Sequence, residues 1–249
     1  IMQKILLRNA SVRAIILYMK KTVFSYAKGD AEMHLEALQK LTLLDYPGRT
    51  AATLFTHGCN FRCPFCHNAG LVVRPSETVV DENELFAYLD KRKKLLDGVC
   101  ITGGEPLLQK DICELIGALT AKGYYVEIET NGSVSLKEFT NITPAPSFTM
   151  DYKLPGSGME DKMNRDNFAL LSGKDTVKFV AGSRNDLERF KEVVDSYSLT
   201  GRCNVYLSPV FGKIDMEDMV NYMIENKMNG VTLQAQLHKI IWEPDKRGV

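Results

Sequence analysis

Short apolar segments alternate with amphipathic segments along the chain from Leu41 onward. The apolar segments are rich in β-branched and aromatic residues, which is typical of strands. The predicted strands are residues 52–56, 98–102, 125–130, 147–151, 176–180, 204–208 and 231–236. Runs such as "VCIT" are apolar without interruption, which suits a sheet that is covered on both faces.

The amphipathic segments predict helices. "DENELFAYLDKRKKLLDG" begins with Asp81 as an N-cap, and Glu84 follows as its capping-box partner. "LLQKDICELIGALTAKG" predicts a helix ended by Gly123, with an apolar face of Leu108, Ile112, Leu115, Ile116 and Leu119. Two more helices are predicted at 184–197 and 216–228. Strands that alternate with helices indicate parallel βαβ units, in which ligands bind at the carboxyl ends of the strands.

Composition narrows the function classes. The chain has 249 residues, 45% hydrophobic and 25% charged, with a formal net charge of zero. We therefore expect no binding to nucleic acid through a global field and no membrane span, since no apolar run approaches about 20 residues. Residues 1–32 differ in being basic and apolar, and one interpretation is an amphipathic helix on a membrane surface. We favour a non-native extension upstream of Met33, followed by a single domain at 33–249.

Three cysteines form the clearest chemical motif. Cys59, Cys63 and Cys66 stand in the pattern C-x3-C-x2-C within "THGCNFRCPFCHN". A zinc-binding interaction module is one interpretation, with His57 or His67 as fourth ligand. The other is a [4Fe–4S] cluster with one iron left for a substrate or cofactor, in a reducing cytoplasm. The remaining cysteines fall in apolar patterns and read as core residues: Cys100, Cys113 and Cys203.

This motif resembles the signature of the radical S-adenosylmethionine (radical SAM) superfamily, and "VCITGGEPLLQ" resembles the family's GGE motif. The resemblance implies a partial (β/α)6 barrel with a parallel sheet, a [4Fe–4S] cluster on the three cysteines, and S-adenosylmethionine on the open iron. It also implies that Phe65 packs near the adenine of S-adenosylmethionine and that the GGE motif binds its methionyl amino group. The residues expected at S-adenosylmethionine are Phe65, His67, Gly103, Gly104, Glu105, Thr130, Asn131, Asp151, Lys153 and Ser208.

Within the superfamily the chain resembles two groups. Residues 38–111, with "DYPG" and "CHN", look like activating enzymes of anaerobic ribonucleotide reductase, which form a glycyl radical on a partner protein. Residues 112–249, with "VEIETNGSV" and "LQAQLHKIIWEPDKRGV", look like 7-carboxy-7-deazaguanine synthases, which convert 6-carboxy-tetrahydropterin to a 7-deazapurine in the queuosine pathway. The two patterns meet in "ITGGEPLLQ", so a hybrid chain is one explanation. We favour the synthase interpretation because it covers more of the chain.

The synthase resemblance implies substrate contacts from Thr102, His238 and the carboxylate of Val249, and a magnesium ion near Asn68. The chain departs from that pattern in three places. The Q-G-E-G element is absent, Phe55 stands where an Arg is expected, and Asn68 replaces a hydroxyl residue. The partners implied are the pterin or a glycyl-radical reductase, an electron donor such as flavodoxin or ferredoxin, and a second copy of the chain in a homodimer.

Overall fold

The computed structural model describes residues 35–73 and 79–243, with the side chain of His238 left out. The predictions made for residues 1–32, for Val249 and for the His238 side chain lie outside the described residues. One sheet organises the described part of the chain. Its strands are β1 (Leu35–Thr42), β2 (Ala51–Thr56), β3 (Gly98–Gly103), β4 (Tyr125–Thr130), β5 (Ser147–Tyr152), β6 (Thr176–Ala181), β7 (Asn204–Pro209) and β8 (Val231–Leu233).

The strands lie in sequence order across the sheet, and every pairing from β2 to β8 is parallel. The predicted α/β class and parallel partial barrel are confirmed. The sheet has eight strands, which is two more than a (β/α)6 barrel and one more than the seven strands predicted from the sequence. β8 is short and ends at Leu233, not at residue 236. β1 pairs antiparallel with β2 and was not predicted, because "LEALQKLT" is rich in residues that favour helices.

The helices are α1 (Ala69–Val73), α2 (Glu82–Arg92), α3 (Ile112–Ala121), α4 (Arg184–Ser196), α5 (Met216–Glu225) and α6 (Leu237–Ile241). The predicted cap of α2 is confirmed, since the Asp81 carboxylate accepts a hydrogen bond from the Glu84 N–H at 3.0 Å. The predicted apolar face of α3 is correct except for Leu108. That residue ends a separate 3-10 turn and is 48% exposed. No helix in the described ranges is long and apolar enough to cross a membrane.

The two faces of the sheet differ in chemistry because side chains alternate along each strand. One face packs under the helices and is apolar, with Ile101, Ile128 and Phe179 fully buried there. The alternate positions face the interior of the open barrel and are polar. They are Thr53, Thr102, Glu127, Glu129, Thr149, Asp151 and Lys178. Charged groups are therefore concentrated inside the barrel.

The "DYPG" segment closes the barrel at the amino ends of the strands. Tyr46 packs on Gly98, where an added Cβ would lie 2.9 Å from the tyrosine ring. Its hydroxyl is 3.2 Å from the Ser147 hydroxyl, and Arg49 stacks 3.4 Å above the Tyr125 ring. In this structure the segment packs against the amino ends of β3, β4 and β5, at the end of the barrel opposite the cysteines.

Candidate active site

The three cysteines lie in the loop that follows β2. Cys59, Cys63 and Cys66 are free thiols and half-buried. Burial raises the pKa of Cys63, Lys153 opposes that shift, and the neighbouring Cys66 and Cys59 add to it. The three cysteines share one short loop and are close enough for Cys59 and Cys66 to influence the Cys63 thiol. This arrangement fits a cluster in which each thiolate binds a different iron.

A structural zinc site would need a fourth ligand beside the three cysteines. In the described residues, no three His, Cys, Asp and Glu side chains form a group that could hold a metal ion. His57, a candidate fourth zinc ligand, has its Nδ1 2.9 Å from the buried Glu36 carboxylate on β1. His67 is exposed. A [4Fe–4S] cluster places each cysteine on a different iron, so it does not require the three thiols to converge on one point.

The GGE motif binds the cysteine loop to the end of β3. The Gly104 N–H donates to the Thr56 carbonyl at 2.9 Å, and the Glu105 N–H donates to the Gly58 carbonyl at 2.7 Å. An added Cβ on Gly104 would stand 1.9 Å from the Gly58 oxygen. The sequence suggested that these glycines let a ligand approach the backbone closely. In the structure it is the backbone of the cysteine loop, at Gly58, that approaches Gly104.

The carboxylate of Glu105 joins β3 to β4. It is fully buried and accepts hydrogen bonds from the Thr130 hydroxyl at 2.9 Å, the Asn131 N–H at 2.6 Å and the Leu107 N–H at 3.1 Å. Burial raises its pKa to about 7, although these three donors act in the opposite direction. Its oxygens are thus committed within the protein, and its structural role is to hold the end of β4.

The end of β4 reaches the first cysteine. The Asn131 side-chain amide donates to Cys59 Sγ at 3.4 Å and to Asn60 Oδ1 at 2.9 Å. Thr130 is buried beside it and accepts a hydrogen bond from the Gly132 N–H. Asn131 therefore lies against the cysteine loop, and Thr130 lies next to it at the end of β4.

Asp151 and Lys153 extend the site from the end of β5. They form an ion pair with Nζ 3.1 Å from Oδ2. The Asp151 side chain lies on the polar face of the sheet, and 38% of its surface is exposed. Burial disfavours charge on Lys153, but Asp151 and the Cys63 thiolate raise its pKa. The Lys153 ammonium group, paired with Asp151, therefore lies near Cys63.

The other predicted residues are more dispersed. Phe65 is half-buried in the cysteine loop, and Ser208 is buried at the end of β7. Asn68 donates from Nδ2 to the Gly103 carbonyl at 3.5 Å. Its Oδ1 takes no part in that hydrogen bond. Cys100 and Cys203 are buried and Cys113 half-buried, as core residues would be.

The interior of the barrel contains a layer of polar side chains, and two of them, Glu129 and Lys178, were not predicted as site residues from the sequence. Thr102, a predicted substrate contact, donates from its hydroxyl to Glu129 Oε2 at 2.7 Å. Glu129 and Asp151 flank Lys178, and these two carboxylates raise the lysine pKa against the effect of burial. The signal was present in the sequence. "VEIET" and "TVKFVA" carry charged residues at alternate positions of strands that otherwise read as buried.

Comparison with known proteins agrees with this geometry. The model of the Radical SAM superfamily matches residues 53–225, which include the cysteine loop, the GGE turn and the ends of β4 to β7. The structure is also similar to that of QueE from Escherichia coli, with a TM-score of 0.61 over 82% of this chain and 93% of that chain. At 18% identity this similarity establishes the fold alone.

Two curated relatives reproduce the two resemblances. A 7-carboxy-7-deazaguanine synthase of Clostridium acetobutylicum is 47% identical over 194 residues, which is 77% of this chain and 87% of that protein. A match of that length extends beyond residues 112–249 into the first half of the chain. A Methanocaldococcus jannaschii protein named as a glycyl-radical enzyme activating enzyme is 38% identical over 94 residues, 37% of this chain and 38% of that protein.

Proposed function

The chain belongs to the radical SAM superfamily, and on that premise we propose that it is a 7-carboxy-7-deazaguanine synthase. The observation that carries the proposal is the 47% identity to the Clostridium acetobutylicum synthase across 87% of that relative. The synthase-like match crosses the junction where the sequence suggested a hybrid, so a single ancestry is the simpler account. The proposed setting is the reducing cytoplasm, where free thiols can bind iron.

Cys59, Cys63 and Cys66 would hold the [4Fe–4S] cluster. When bound, this group supplies one electron that cleaves S-adenosylmethionine to methionine and a 5′-deoxyadenosyl radical. The loop that carries the cysteines is fixed to β3 by the two hydrogen bonds of the GGE turn. Such anchoring holds the ligand geometry before the cluster arrives, which is how a protein orients a cofactor that performs the chemistry.

Lys153 and Asp151 would contact S-adenosylmethionine. The pair lies at the end of β5, and Asp151 and Cys63 favour the charged form of Lys153. An ammonium group complements a methionyl carboxylate, and a carboxylate complements a hydroxyl or ammonium group. Phe65 in the cysteine loop and Ser208 at the end of β7 remain proposed contacts.

The polar interior of the barrel would receive the pterin. Thr102, Glu129 and Lys178 offer one hydroxyl, one carboxylate and one ammonium group within the same layer. A substrate that carries amide, amine and carboxylate groups can form hydrogen bonds with these side chains, whereas an apolar substrate would remove them from water without any new hydrogen bond. The carboxamide of Asn68 is the proposed magnesium ligand, because Mg²⁺ prefers oxygen donors.

Activation of a glycyl-radical enzyme is the second candidate. The 38% identity over 94 residues to the Methanocaldococcus jannaschii relative favours it. That reaction would use the same cysteines, but a glycine-containing loop of a partner protein would bind at the barrel in place of the pterin.

Two parallel incubations separate the candidates. Reduced, reconstituted protein receives S-adenosylmethionine with either 6-carboxy-tetrahydropterin or an anaerobic ribonucleotide reductase. We expect 7-carboxy-7-deazaguanine in the first, identified by mass spectrometry, and no glycyl radical in the second. A glycyl radical without any deazapurine would reject the synthase proposal in favour of the activating enzyme.

A further inference from the structure

The three cysteines differ in the donors that reach their sulfur atoms. Cys59 Sγ accepts the Phe61 backbone N–H at 3.3 Å and the Asn131 side-chain N–H at 3.4 Å. Cys63 instead lies beside the charge of Lys153. Among the described residues, no hydrogen bond reaches the sulfur of Cys63 or Cys66. Cys59 is therefore the cysteine with a side-chain hydrogen-bond donor directed at its sulfur.

The orientation of the Asn131 amide is fixed by its other contacts. Its Oδ1 accepts from the Ser133 N–H at 2.9 Å, which identifies the opposite atom as the nitrogen. Its Nδ2 has two hydrogens, and these are directed to Cys59 Sγ and to Asn60 Oδ1. The side chain is 7% exposed. Both N–H donors are used within the protein, so neither is free for S-adenosylmethionine.

The main chain of Asn131 is held as firmly as its side chain. Its backbone N–H donates at 2.6 Å to the buried carboxylate of Glu105. The same carboxylate is tied to Thr130, while the backbone of Glu105 is tied to Gly58 in the cysteine loop. Glu105 thus connects the residue that carries the amide to the loop that carries the sulfur.

We propose that Asn131 is a positioning residue for the cluster, which donates a hydrogen bond to the Cys59 thiolate and thereby raises the cluster's reduction potential. A hydrogen bond to a ligating sulfur stabilises negative charge there, and the reduced cluster carries one negative charge more than the oxidised cluster. The donor therefore favours the reduced form. This inference rests on the proposed function, because it requires the cluster.

The test compares Asn131→Ala with the wild-type protein and with Ser133→Ala. The control removes a neighbouring hydroxyl but keeps the Ser133 backbone N–H that orients the Asn131 amide. Each protein is reconstituted anaerobically with iron and sulfide, its iron content is measured, and the midpoint potential is determined by EPR-monitored titration without S-adenosylmethionine. If Asn131→Ala does not fold, Asn131→Leu replaces it, since leucine has a similar volume and no donor.

We expect equal iron content in all three proteins, a more negative potential in the Asn131 variant alone, and a higher Fe–S(Cys) stretching frequency by resonance Raman. An unchanged potential in a fully loaded Asn131 variant would overturn this inference and leave the proposed function standing. A wild-type protein that assembles no [4Fe–4S] cluster would overturn the proposed function and this inference with it.

Discussion

Gly104 and Gly58 are in such close contact that a Cβ on Gly104 would stand 1.9 Å from the Gly58 carbonyl oxygen. The contact joins the GGE turn to the loop of the three cysteines, and two backbone hydrogen bonds flank it. The position of the cysteines therefore depends on the absence of a side chain at residue 104.

Replacement of Gly104 by alanine is the direct test of that dependence. The added methyl group must displace backbone, so we expect the free energy of unfolding to fall by about 3 kcal/mol and iron incorporation to fall with it. Chemical denaturation and iron analysis measure the two effects. Gly117→Ala is the control, because nothing lies within 4 Å of its added Cβ in α3. That change should stabilise the protein by about 0.5–1 kcal/mol. A folded Gly104→Ala protein with full iron content would contradict the account.

Lys153→Met tests the proposed contact with S-adenosylmethionine. Loss of a charge-assisted hydrogen bond is worth about 1.5–3 kcal/mol, so we expect binding to weaken by at least about tenfold while iron content is retained. Equilibrium binding to the reconstituted protein measures the change. Lys191→Met removes a half-exposed lysine that pairs with Asp195 on α4, and the variant should bind S-adenosylmethionine as the wild type does. Equal affinity in both variants would remove Lys153 from the site.

Two aspartates before helices provide a matched test of capping. Asp81 caps α2 with its side chain, whereas Asp111 precedes α3 without a side-chain cap. We expect Asp81→Ala to lower the free energy of unfolding by about 1 kcal/mol and Asp111→Ala to lower it by less. Urea denaturation of the two variants measures the difference. Equal losses would show that the Asp81 contact contributes no capping energy.

Glu127 makes stability depend on pH. Burial raises its pKa to about 7 from 4.5, despite hydrogen bonds from Ser147 and Thr149. The folded state therefore holds a proton that the unfolded state releases, and the stabilisation is fully present below pH 4.5. As the pH rises through about 7, on the order of 3 kcal/mol is lost.

Glu127→Gln removes this titration. Between pH 4.5 and pH 7, the free energy of unfolding of the wild type should fall relative to that of the variant. Thermal or urea unfolding at several pH values provides the measurement. A difference that stays constant over this range would show that the carboxylate is not protonated in the folded protein.

The sequence predicted the strands that end at the site more accurately than the edges of the sheet. β2 to β7 are short segments rich in β-branched and aromatic residues, and the structure places them within about one residue of their predicted bounds. β1 was missed because its strand state depends on pairing with β2, a tertiary contact that local propensity does not encode. α2 was located by the Asp81 cap, which is a local signal.

The site was predictable in its residue types and less so in its contacts. The spacing of the cysteines and the resemblance to a family predicted the cluster motif, and the strand ends brought Asn131 and Lys153 into consideration. The partner of Glu105 could not be read from the sequence, because its bonds to Thr130 and Asn131 join residues from adjacent strands. The same holds for the contact between Gly104 and Gly58, which depends on how two loops meet.

The central claim is that three cysteines hold a cluster which leaves one iron for S-adenosylmethionine. The most direct measurement is methionine release from S-adenosylmethionine by the anaerobically reconstituted, chemically reduced protein, with Cys63→Ala and Cys113→Ala beside the wild type. We predict release by the wild type and by Cys113→Ala, whose changed residue is a core cysteine, and none by Cys63→Ala. Methionine release that persists in Cys63→Ala, or its absence from a wild-type protein with a full cluster, would contradict the claim.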